Sequence, residues 1–249
     1  MSKLDHPKPA VLAIILGTAF LLIYRAAEHF LPLHVDNPVT QKLVVEDAIG
    51  AAIVFLGSSI EWAGYWSISA RRKGVAGGPG TRLRLGLRSA ATLVLVLGTA
   101  SSVGLFLDIY SVYRGGLGNR FGSSPVLLVG LFTAISFFWS ARLWLLRRLL
   151  VGWYGIGRSV HLDRILFATA WLGSLVPVFW LFFVVPLIPI HYSPGGYTTP
   201  PRWLFLLSRL CGHGVLVLES AVGVSLIICL FGCLRLVNVK PEYNLGPPS

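Results

Sequence analysis

Apolar residues along the chain gather into six long blocks, near 10–32, 44–69, 86–108, 125–147, 165–190 and 203–235, with short polar connections between them. The blocks are apolar on both parities, so the strict alternation of a lipid-facing strand is absent. Each exceeds the roughly 20 residues that a helix needs to cross the hydrocarbon core. The pattern predicts an all-α, polytopic integral membrane bundle of about six transmembrane helices, with 1–249 as a single transmembrane domain.

Composition strengthens this reading, since 55% of residues are hydrophobic and only 12% are charged, too few to clothe a soluble domain of this length. Charge then predicts orientation. The connection "RRKGVAGGPGTRLRLGLR" from Arg71 to Arg88 holds basic residues and no acid, and the next connection on that side carries Arg147, Arg148, Arg158 and Arg164. With Lys3, Lys8, Arg235 and Lys240 near the chain ends, one side collects the basic residues, while the other has Lys42, Arg114, Arg120 and Arg202. An even number of spans puts both termini on one side, and the excess of Lys and Arg assigns that side to the cytoplasm. The net charge of +11 therefore reads as topogenic. Membrane lipids, with anionic headgroups at the basic side, are the expected counter-charge, and no nucleic-acid partner is expected.

Ionisable residues inside the spans carry the functional information, because charge at membrane depth costs a few kcal/mol or more. Counting at about 1.5 Å per residue places Glu219, in "GHGVLVLESAVGV", near the midplane. Glu61 and Arg142 fall below it toward the basic side. Arg142 is expected either to pair with one of these carboxylates or to snorkel to the interface. In the other half, "IYRAAEHF" puts Arg25, Glu28 and His29 on one helical face. Glu46 and Asp47 enter the second span on that side, Asp108 ends the third, and Arg209 and His213 lie in the sixth. These groups predict a polar vestibule opening away from the basic side, with Glu219 at its floor.

Other signals concern packing. Small residues recur at four-residue spacing, as in Ala48 and Ala52, Gly98 and Ser102, and Ala221 and Ser225. Pro177, Pro186 and Pro189 predict a kink or an early end in the fifth span. Cys229 and Cys233 share a face of the sixth, either as packing residues or with Cys233 as an acylation site.

Hydrolase, phosphate-loop and metal-spacing motifs are absent, so no cofactor or metal is expected and no catalytic residue is assigned. As two buried acids, Glu61 and Glu219 resemble those of the small integral-membrane terpene cyclases, which protonate their substrate; the flanking residues differ from that family's motifs. The stretch "IYRAAE" with Glu46 and Asp47 resembles the Arg- and Glu-bearing span of the fungal lipid-translocating exporters, which carry it late in the chain. Neither resemblance transfers a site residue. The expected function is the handling of a small molecule or lipid through a polar intramembrane cavity. A membrane-embedded enzyme with a carboxyl as general acid, and a structural subunit whose charges meet a partner helix, are the alternatives.

Overall fold

The computed structural model describes residues 8–30, 41–70, 79–113, 125–153, 159–184 and 201–238. They form six helices: α1 (Lys8–Phe30), α2 (Gln41–Ala70), α3 (Pro79–Tyr113), α4 (Pro125–Trp153), α5 (Val160–Val184) and α6 (Arg202–Asn238). Pro79 and Pro125 open α3 and α4, where the missing N–H would have no helical acceptor. Pro177 lies inside α5; Pro186 and Pro189 fall outside the described residues.

Five of the helices, all but α4, are long and apolar enough to cross a membrane, and with them the chain is an integral, multi-pass membrane protein. Over its described residues α4 misses that threshold, carrying Arg142, Arg147 and Arg148. Two of these are countered within the bundle, Arg142 by Glu61 and Arg147 by Asp163, each at 2.7 Å. Large apolar side chains such as Leu16, Ile23, Leu210 and Val217 point outward, which suits a lipid surround and no other solvent.

Each helix packs on its neighbours in the chain, and α6 returns to α1, so the six close into a ring. Contacts that climb one helix descend the next: Gly57 meets Leu21 and Gly64 meets Ile14, while Trp62 bonds Thr92 and Ser69 accepts from Arg88. The helices therefore run up and down alternately. Residues 8, 70, 79, 153, 160 and 238 share one end, here the terminal end, and residues 30, 41, 113, 125, 184 and 202 share the other, the far end.

The tightest seam joins α1 and α2. Gly50, Gly57 and Gly64 recur every seven residues along α2, one stripe of a helix wound slightly toward its partner. A Cβ at Gly17 would lie 2.7 Å from the backbone of Gly57 and Glu61, and one at Gly64 would lie 2.8 Å from the backbone of Ala10 and Ile14. Only hydrogen fits at either position.

Solid packing fills the terminal half. Ile14, Tyr65, Ile68, Leu87, Leu146, Leu149, Leu230 and their neighbours form a continuous buried cluster from all six helices. Cys229 and Cys233 belong to it, Cys233 being 2% exposed. Above this cluster the bundle encloses a hollow.

Candidate functional site

The hollow is a cavity of about 500 Å³, lined from all six helices. Its floor rests on the packed cluster and is built by an ion pair. Glu61 on α2 accepts from Arg142 on α4 at 2.7 Å through one oxygen and from the Thr18 hydroxyl on α1 at 2.6 Å through the other. Arg142 is 2% exposed, and its guanidinium carbon stands 4.7 Å from the Tyr65 ring centroid. Of the two expectations for Arg142, pairing holds and snorkelling does not. The bundle interior offers a carboxylate within reach, and a paired charge costs far less there than a lone one.

Higher on the wall, Glu219 joins three helices. One carboxylate oxygen accepts from the Trp180 indole on α5 at 3.2 Å; the other lies 3.9 Å from Arg25 Nε on α1. Trp180 in turn stacks on Phe132 of α4, with centroids 5.1 Å apart and planes within 5°. The Glu219 side chain is 24% exposed and that of Arg25 is 45% exposed, so this upper part of the cavity is less enclosed than its floor.

Glu219 was expected at the floor, but the register between α1 and α6 lifts it. Gly223 packs against Leu22, and Glu219 lies opposite Arg25, roughly two helical turns above the level of Thr18 and Glu61. Leu226, which also lines the cavity, is the α6 residue nearest that lower level.

Thus Glu219, Glu61, Arg142 and Arg25 all meet at one cavity. His213 does not join them: it occupies an exposed position on α6 and is not part of the lining. The side chains of Glu28, His29, Glu46, Asp47 and Asp108 lie outside the described residues. Thr18, Trp180 and Tyr65 were not anticipated. A signal for Tyr65 exists, since Ser58, Glu61 and Tyr65 fall at spacings of three and four on one face of α2; Thr18 and Trp180 carry none.

Among the described residues no group of His, Cys, Asp and Glu could hold a metal ion. Comparison of the chain with protein-family models, with characterised proteins and with solved structures finds no match in any of the three.

Proposed function

We propose that the protein handles a small molecule or lipid through this cavity, as a carrier or a binding protein of the membrane. One observation carries the reading: the intramembrane charges of α1, α2, α4 and α6 face a common lumen of ligand size. A subunit built to meet a partner helix would turn such charges to its outer face, whereas Arg25, Glu61, Arg142 and Glu219 all line the cavity. A general acid needs a carboxyl that donates. Both oxygens of Glu61 are already engaged, by Thr18 and Arg142, and one oxygen of Glu219 accepts from Trp180.

The excess of Lys and Arg at the terminal end supports placing that end in the cytoplasm, beside anionic headgroups. The cavity then opens outward. Gly98 provides the test, because it lines the cavity and a Cβ there meets nothing within 4 Å. A Gly98→Cys variant should react with a membrane-impermeant maleimide added to intact cells. Reaction only after the inner face is exposed reverses the orientation, and no reaction from either face removes the wet cavity and the function with it.

A further inference from the structure

The lining of the cavity is balanced in charge and sorted by kind, which identifies the class of molecule it takes. Arg25 and Arg142 are matched by Glu61 and Glu219. A ligand with net charge would leave one charge uncompensated in a low-dielectric site, whereas a zwitterion adds none.

The two poles of the cavity differ. At the floor, Arg142 spends one nitrogen on Glu61, while its buried Nε has no hydrogen-bond partner among the described residues. Side chains on a helix lean toward its N-terminus, which for α4 is the far end, so this guanidinium leans up toward the lumen. A phosphate or carboxylate satisfies such a group. Higher up, acceptors outnumber the one cation of the lining there, Arg25, which lies 3.9 Å from Glu219. Ser101, Ser102 and Ser136 donate their hydroxyl protons to carbonyls of their own helices, so what each offers the lumen is an oxygen lone pair. Beside them stand the Glu219 carboxylate and the Phe132–Trp180 stack. Carboxylate, hydroxyl oxygens and aromatic faces together recognise an ammonium group. Phe132 precedes Arg142 by about 15 Å of helix rise. Arg142 meets Glu61 at 2.7 Å, so the poles stand about two helical turns apart, roughly 10 Å, which an anion and a cation a few bonds apart bridge once their own contact distances are added.

Resting on the reading of the cavity as a ligand site, we propose that it binds the zwitterionic headgroup of a single-tailed amphiphile, with the anion at Arg142 and the ammonium at Glu219. Leu21, Leu22, Val54 and Val94, also in the lining, would take the tail.

The test is calorimetric titration of the full chain in a non-ionic detergent with three matched probes, hexylphosphoethanolamine, hexyl phosphate and hexylamine. The zwitterion should bind at least about tenfold tighter than either singly charged probe. Glu219→Gln should weaken the zwitterion and hexylamine by about tenfold and leave hexyl phosphate unchanged. The paired change Glu61→Gln with Arg142→Gln, which orphans no charge, should weaken the zwitterion and hexyl phosphate and leave hexylamine unchanged. Phosphoethanolamine without a chain separates the sources of the headgroup: equal affinity assigns the site to a soluble zwitterion, and weaker binding assigns it to a lipid.

Hexyl phosphate binding as tightly as the zwitterion, or Glu219→Gln weakening all three probes equally, overturns the proposal. If no probe binds while Gly98→Cys is labelled, the headgroup assignment fails and the cavity stands. If there is neither binding nor labelling, the cavity reading fails first.

Discussion

Arg142 on α4 and Glu61 on α2 pair at 2.7 Å although α3 stands between their helices in the ring. The pair is therefore a brace across the lumen, and helix packing alone would not set its length. Removing one partner leaves a buried charge with no counter-charge, which costs about 3–5 kcal/mol, while removing both together is far milder. Arg142→Leu should accordingly lower thermal stability in detergent sharply, and Arg142→Leu with Glu61→Leu should recover most of the loss. Two single losses that simply add in the double variant would show that the brace stores no coupling.

Two glycines, one in the seam between α1 and α2 and one lining the cavity, give predictions of opposite sign. Gly17 faces backbone at 2.7 Å, which cannot yield as a flexible side chain would. Gly17→Leu must part α1 from α2, and the yield of folded protein should collapse. Gly98→Ala meets open space and should fold as the parent does, gaining slightly from the helix preference of Ala. The check is monodispersity on size exclusion for both variants.

The helices were legible because lipid crossing demands length and apolarity, two properties visible in any window of the chain. Their pairing was less so. Glu61 and Arg142 are 81 positions apart, and nothing local tells Arg142 which of two acids it meets. That depends on the order of the ring. The seven-residue recurrence of Gly50, Gly57 and Gly64 was open to inspection and more telling than the four-residue spacings, since it repeats over about four turns of contact with one partner. Trp180 was hidden for a different reason: an indole in an apolar span is ordinary, and only the neighbouring helix reveals that its N–H meets a carboxylate.

Orientation rests on basic residues, so it is tested apart from the cavity. Epitope tags within 71–88 or 148–163 should be reached by antibody only after the membrane is permeabilised, and a tag within 191–202 should be reached in intact cells. The reverse pattern would place the cavity mouth in the cytoplasm.

Thiol chemistry reports on the packed half. Cys229 and Cys233 sit in the buried cluster, so native protein should resist modification there until detergent-solubilised chains are denatured. Acylation at Cys233 needs that sulfur at the surface, and its 2% exposure predicts that mass spectrometry finds it unmodified.

The last prediction concerns Glu219, whose side chain has both an indole donor and a guanidinium neighbour. Gln keeps an oxygen for the Trp180 bond and the same shape, so the hydrogen bond survives the change and only the charge is lost. That charge is not needed to hold α5 to α6, because Ser208 already ties α6 to the Phe183 carbonyl at 2.9 Å and the helices pack along their length. Removing it does take the Glu219 counter-charge from Arg25, but Arg25 is substantially exposed, and the loss of so exposed an ion pair costs at most about 1 kcal/mol. Glu219→Gln should therefore insert and fold with a melting temperature close to that of the parent, while uptake or binding of the cavity's ligand falls steeply. A variant that melts early would assign the carboxylate to structure, and one that keeps full transport would leave the charge without a function.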